Sequence, residues 1–305
     1  MGTPEFAVHS LRTLMERSCN VVAVATAPDK PRGRGQQVSF TAVKKFALQH
    51  RLPLLQPESM RDPSFVAELK NLHPDLFVVV AFRILPKEVY AIPSRGAFNL
   101  HASLLPKFRG AAPINWAIIN GETETGVTTF FLQEHVDTGS TILQARVKIG
   151  PEETAGELHD KLAEVGAEIV FQTVRLIELG KAEPRQQDEK LASPAPKIIK
   201  EHCRIDWSKS AHDVHNFIRG LSPVPCAWTM HEEKLVRIYR SRIVATPASI
   251  SNSPGALALI DKTRLHVATG GGAVEILELQ QEGKRRLGVE EFLRGYRLKE
   301  GDRFR

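Results

Sequence analysis

The chain has 305 residues, 42% apolar and 25% charged, so it is long enough for two domains with real cores. No apolar run approaches the ~20 residues of a membrane-spanning helix, no signal peptide is visible, since Met1-Gly-Thr-Pro-Glu5 lacks a basic n-region and an apolar h-region, and three scattered cysteines (Cys19, Cys203, Cys226) offer neither a disulfide framework nor metal-ligand spacing, which suits a reducing cytoplasm. The net charge of +6 is uneven: from Ile198 to Arg305 there are 18 Lys/Arg against 13 Asp/Glu, a bias that favours a polyanionic partner.

The first ~180 residues alternate between apolar runs and helix-period segments. Glu5 to Arg17 predicts a helix with Phe6, Leu11, Leu14 and Met15 on its apolar face, and Asn20 to Ala27 predicts a buried strand. Pro28 to Lys45 carries five Lys/Arg and one Asp, and its prolines and glycines predict an irregular, mobile loop. Thr41 caps a helix to Arg51, Leu52 to Leu55 is a short strand, and Asp62-Pro63 opens a helix from Ser64 to Leu72. Leu76 to Phe82 is continuously apolar and β-branched, like a strand buried on both faces. Asn99 to Trp116 starts as a strand and ends as an amphipathic helix, and Glu153 to about Lys181 is a long helix. Residues 182–197 hold three prolines and few large apolar side chains, as a linker does. Beyond them come Ile205 to Ser208, a helix from Ser210 to Gly220, and short strands at 234–243, 256–260, 264–268 and 273–279. The expected fold is therefore α/β: a Rossmann-like, doubly wound, mainly parallel sheet in a catalytic domain (1–181), a linker (182–197), and a small OB-like β-barrel domain (198–305).

Ligands of such sheets bind outside the carboxyl ends of the strands. Asn99 and His101 lie two residues apart, so on a strand they share a face. Asp137, in Asp137-Thr-Gly139, supplies a carboxylate at another strand end. Together these groups suit attack of an amine on a carbonyl: Asn99 and a protonated His101 as donors to the developing oxyanion, Asp137 as proton acceptor or imidazole partner. Alternatives stay open from the residues alone. His101 is also an ordinary hydrogen-bonded core residue type, and Asp137 also caps turns. His135, Asp137 and His101 make a weak metal set without motif spacing, and no metal is expected. The basic loop has neither a phosphate-cradling G-x-x-x-x-G-K-[ST] nor a dinucleotide G-x-G-x-x-G pattern; cations on a loop suit phosphates and single-stranded ends.

Several motifs resemble those of the methionyl-tRNA formyltransferase family over nearly the whole chain: Met1 to Phe6, Pro28 to Gly35, His101 to Pro113, Gly121 to Val127, Asp137 to Gly139, Arg204 to Ser208 and Gly295 to Lys299. The resemblance implies a 10-formyltetrahydrofolate donor and a methionine amine on initiator tRNA as acceptor. It implies Asn99 and His101 as polarisers of the formyl oxygen and Asp137 as proton-transfer group. Ser103, Leu104, Leu105 and Pro106 would line the folate pocket, with Phe82, Ile84 and Leu85 near the pterin. Lys30, Arg32 and especially Arg34 would approach the acceptor stem, and Lys200, Arg204, Lys209, Lys284, Arg285 and Arg286 would contact tRNA elsewhere. His135 and Arg83 depart from the family pattern and receive no role. A monomer in the cytoplasm or an organellar matrix is expected. Family members also carry a short apolar strand before Gly-Thr-Pro, absent here, so a chain extended upstream is expected to melt higher.

Two competing functions share these residues. One is formyl transfer to an amino sugar nucleotide, or hydrolysis of the folate donor. The other is an RNA-binding protein whose Asn99 and His101 are only structural.

Overall fold

A computed structural model describes the chain except residues 33–36, 247–252, 262, 297 and 300, and gives the backbone alone at 31, 32, 37 and 38. The chain forms two compact units: Met1–Pro113 with Thr125–Val147 and His159–Ala195, and Ile114–Glu124 with Lys148–Leu158 and Pro196–Arg305.

In chain order the first elements are α1 (Glu5–Glu16), β1 (Val24–Ala25), β2 (Lys30–Arg32), β3 (Gln37–Ser39), α2 (Ala42–Gln49), β4 (Leu54–Leu55), α3 (Pro63–Asn71), β5 (Phe77–Val80), α4 (Lys87–Tyr90) and β6 (Ala97–His101). They are followed by β7 (Arg109–Gly110), α5 (Pro113–Ile119), β8 (Glu124–Phe131), β9 (Thr141–Lys148), α6 (Ala155–Glu178) and β10 (Pro194–Ala195). Helix starts follow local chemistry. The Thr41 hydroxyl accepts from Lys44 N at 3.0 Å, and Asp62 accepts from Ser64 N at 2.9 Å with Pro63 in the first turn. Each such cap stabilises its helix by about 1 kcal/mol.

The principal sheet of the first unit has the order β5-β6-β8-β9. β5 runs parallel to β6, but β6 and β8 are antiparallel, so the sheet is mixed rather than mainly parallel. The reversal sets His101, the last residue of β6, opposite Thr128 of β8. Leu100 packs on α6 so closely that a Cβ at Gly166 would stand 2.7 Å from its Cδ2. Alternation along β6 then turns Asn99 and His101 to the opposite face. β1 pairs in parallel with β4. Of the apolar run Asn20 to Ala27, only Val24 and Ala25 form a strand.

Met1 and Gly2 lie between β1 and β5: Gly2 N donates to Ala25 O (3.0 Å), Val80 N to Met1 O (2.9 Å), and the Met1 ammonium to Val78 O (2.7 Å). No side chain fits at Gly2, where a Cβ would meet Ala7 Cβ at 2.5 Å and Val80 O at 2.9 Å. Beside Met1 lies a cavity of about 720 Å³, lined by Val22, Val24, Phe77, Val78 and Val174 among others; His101 and Asp137 do not line it.

The basic segment departs from the expected loop. Its arms β2 and β3 pair antiparallel, with Pro31 opposite Val38. A two-stranded ribbon has free outer edges, where the missing N–H of a proline is tolerated.

The second unit contains α7 (Ala211–Leu221), β11 (Ala227–His231), β12 (Lys234–Val244), β13 (Leu257–Ile260), β14 (Arg264–Ala268), β15 (Ala273–Gln281), β16 (Leu287–Gly288) and α8 (Val289–Gly295). Its antiparallel sheet runs β11-β12-β15-β14-β13, with β16 also on β15. Val214, Ile218 and Leu221 of α7 are buried in the core of this unit with Ile238, Leu265 and Ile276 of the sheet. The expected barrel does not close. Closure requires the edge strands to exchange hydrogen bonds, and among the described residues β11 and β13 do not. The last residues engage both edges instead: Arg305 and Met230 exchange two backbone bonds of 2.9 Å, and Leu257 N donates to Asp302 O at 3.0 Å. Between these, Phe304 is buried and stacks on Trp207.

Candidate active site

The end of β6 places His101 inside the protein, 6% exposed. Its Nε2 stands 2.8 Å from Phe108 O. A carbonyl only accepts, so Nε2 carries a proton. The other nitrogen, Nδ1, faces Asp137 Oδ2 at 3.7 Å. That separation is too long for a hydrogen bond, and it leaves the two buried groups adjacent to one another. Asn99 lies two residues earlier on the same face, half-buried, and no described residue engages its amide. The structure thus brings His101 and Asp137 together and sets Asn99 alongside.

Asp137 is 7% exposed and sits at φ +57°, a conformation uncommon for a non-glycine residue. Its Oδ2 accepts from Gly110 N at 2.9 Å. Gly139, two residues on, allows the chain to pass Phe131: a Cβ there would fall 1.7 Å from Phe131 O.

The turn after β6 is held from β8 and β9. Thr128 Oγ1 donates to Ser103 O (2.6 Å) and accepts from Leu105 N (3.1 Å), and Gln144 donates to Leu105 O (2.8 Å). Ser103 Oγ donates to Lys107 O at 2.6 Å. Ser103 and Leu105 are buried, and Leu104 and Pro106 are half-buried. After β5, Phe82 is half-buried, Ile84 is 73% exposed, and Leu85 is buried in the core.

Sequence inspection misses a second set of residues around Asp137. Gln187 is buried and donates from Nε2 to Asp137 O and Gly139 O, both at 2.8 Å. Its Oε1 accepts from Arg109 Nη2 (2.7 Å) and Nε (3.1 Å). Arg109 also forms a two-point pair with Glu189 at 2.7 and 2.8 Å. The Glu189 carboxylate, and more weakly that of Asp137, raise the guanidinium's proton affinity above its ordinary value. β10 pairs in parallel with β7, and Ser193 Oγ accepts from Phe108 N at 2.9 Å. The segment read as a linker therefore makes ordered contacts with the site. One of two adjacent glutamines in a proline-containing stretch carries no motif that would reveal this.

The basic residues differ among themselves. Lys30 on β2 is exposed, Arg32 is described by backbone alone, and Arg34 lies outside the described residues. Lys200, Arg204 and Lys209 are exposed. Arg204 has no ion pair among the described residues and places its guanidinium 5.9 Å from the Trp228 ring centroid. Lys284 is exposed, whereas Arg285 is paired with Glu291 and Arg286 with Glu278. His135 is exposed, and among the described residues no group of three His, Cys, Asp or Glu is arranged to hold a metal. Nor is any described helix long and apolar enough to cross a membrane.

Comparison with known proteins assigns the class. Residues 1–174 match the formyl transferase family and residues 197–297 match its C-terminal domain; the chain belongs to this family. Within it, the chain is 48% identical to a methionyl-tRNA formyltransferase of Bacteroides fragilis, covering 98% of this chain and 95% of the relative. It is 50% identical to a methionyl-tRNA formyltransferase of Chlorobium phaeovibrioides, covering 99% and 95%. The fold also matches an N-formyltransferase from Helicobacter canadensis in complex with folinic acid and dTDP-3-aminofucose, with TM-score 0.67, 19% identity, and coverage of 94% and 97%.

Proposed function

We propose that this chain transfers a formyl group from 10-formyltetrahydrofolate to the amino group of initiator methionyl-tRNA. High identity over almost the full length of methionyl-tRNA formyltransferases supports the acceptor. The single observation that carries the chemistry is the buried His101–Asp137 contact of 3.7 Å at the strand end, beside the unengaged Asn99 amide.

With Nε2–H committed to Phe108 O, the imidazole meets a substrate through Nδ1. Nδ1 donates when the ring carries a proton on both nitrogens. Asn99 Nδ2 and His101 Nδ1 then donate to the formyl oxygen as it gains charge, each such bond worth roughly 3 kcal/mol. As the amine nitrogen bonds to the formyl carbon, Asp137 takes the amine's proton, directly or through water. The donor's C–N bond breaks, and its nitrogen receives a proton in turn. Two features fit a folate at this place: Ile84 presents exposed apolar surface and Phe82 a half-buried ring for a flat heterocycle, and the Asn99 amide is free for a polar group. The turn Ser103–Pro106, with Ser103 and Leu105 buried and Leu104 and Pro106 half-buried, walls the folate pocket.

Residues 1–181 carry the chemistry, 182–197 support the Asp137 turn as well as linking, and 198–305 hold tRNA. Lys30, Arg32 and Arg34 approach the acceptor end; Lys200, Arg204, Lys209 and Lys284 contact phosphates, whereas Arg285 and Arg286, paired with Glu291 and Glu278, contribute less. The protein acts as a monomer in the cytoplasm. The test is formylation by purified protein of charged initiator tRNA and, in parallel, of a dTDP-amino sugar. Transfer to tRNA alone is expected; transfer to the sugar nucleotide alone would overturn the acceptor.

A further inference from the structure

We propose that Gln187 is a positioning residue for the reaction: it fixes the turn that aims the Asp137 carboxylate at His101. The inference rests on the function proposed above. A primary amide has two N–H donors and an oxygen with two lone pairs. In Gln187 all four are used, inside the protein: two donations across the 137–139 turn and two acceptances from Arg109. The next residue, Gly110, donates its N–H to Asp137 Oδ2. The result is a closed circuit from Asp137 O through Gln187, Arg109 and Gly110 back to the Asp137 carboxylate.

Two facts show why such a circuit is needed. Asp137 holds a left-handed backbone conformation, and an uncommon conformation at a functional residue persists only where its surroundings over-determine it. Gln187 bridges the carbonyls on both sides of Thr138, which pins that backbone. Second, the His101–Asp137 separation of 3.7 Å has no direct hydrogen bond to hold it. Its geometry is set from behind, by the Gly110 N–H and by the Gln187 clamp on the turn. Glu189, 67% exposed on its side chain, completes the Arg109 pairing from the outside. Gln187 therefore acts through Asp137 and touches no reacting atom.

Gln187→Met keeps length and volume but removes every one of these hydrogen bonds. Gln187→Glu keeps the acceptors for Arg109 and removes the donors to Asp137 O and Gly139 O. Steady-state formylation of charged initiator tRNA is measured for both, with crystal structures and melting curves. The expected result is a kcat at least about tenfold lower in either variant, with KM for folate and for tRNA within about twofold of wild type. The structures should show the Asp137 carboxylate turned or withdrawn from His101. A misplacement of this order accounts for such a loss without weakening substrate binding. A kcat within threefold of wild type, or a loss of kcat with Asp137 and His101 unmoved, would overturn the proposal. If one variant does not fold, the other decides. Failure of wild-type protein to formylate tRNA would sink the function instead, and the crystal geometry would still report on Gln187.

Discussion

The turn at Asp137 and the basic run Lys284-Arg-Arg286 are both polar and both look like candidate contact sites, yet they are built in opposite ways. At the turn Asp137 is 7% exposed: its carboxylate accepts from Gly110 N, its backbone carbonyl accepts from Gln187, and the carboxylate is left facing one imidazole. In the run, Arg285 and Arg286 are exposed and already satisfied by Glu291 and Glu278. A polar side chain becomes available for function through what its neighbours leave free. By that criterion Arg204, unpaired among the described residues, resembles the site more than the denser cluster does.

The sharpest way to break this contrast is at the turn. His101→Ala and Asp137→Asn should each lower kcat by about 10²-fold or more while tRNA binding, measured by filter retention, is retained. A loss below tenfold would place both residues in a structural role only.

A smaller effect separates the basic residues. Arg204→Ala should raise KM for tRNA by up to about tenfold, roughly 1.4 kcal/mol, and reduce the salt slope of binding by about one. Arg285→Ala should change KM less than twofold, since removing an arginine already paired to Glu291 frees a carboxylate but exposes no new cation. The reverse order would invalidate pairing as the criterion.

A third effect concerns pH. Burial lowers the pKa of His215 and His266 below 6.5 in the folded state. His215 meets Pro151 O and Ser241, near Glu152, Arg219 and His212; His266 faces Glu275, Arg264 and Arg242. The unfolded chain therefore binds more protons than the native one just below pH 6.5. Their contribution is fully present above that pH and is lost as pH falls through and below it. Urea midpoints at pH 7 and pH 5.5 should differ in that direction, and the difference should shrink in His215→Gln.

The smallest effect is a reactivity difference. Burial pushes the Cys226 thiol up to about 12, so it should resist alkylation at pH 8 in native protein and react once unfolded. Labelling at Cys226 in the native state would show that its surroundings open.

Local rules made much of the fold legible. Thr41 and Asp62-Pro63 mark the helix starts found in α2 and α3, the apolar run at 76–82 becomes β5, and the expected short strand at 264–268 becomes β14. β8, absent from the expected elements, has a strand's composition in Val127-Thr-Thr-Phe-Phe131, and Gly126 marks its close approach to the neighbouring strand, where a Cβ would lie 2.0 Å from Ala145 O. β11 follows a proline-rich stretch that reads as loop.

From the sequence alone came the family resemblance, the Asn99-x-His101 spacing and the alternation of helices and strands, because spacing along one strand and period along one helix are local properties. Tertiary structure alone decided that β8 runs against β6, that the C-terminal sheet stays open with the last residues at its edges, and that Gln187 reaches back 50 residues to Asp137. Those outcomes depend on which buried donors find acceptors across long separations, and a hydrogen bond between distant residues leaves no periodic trace in the chain.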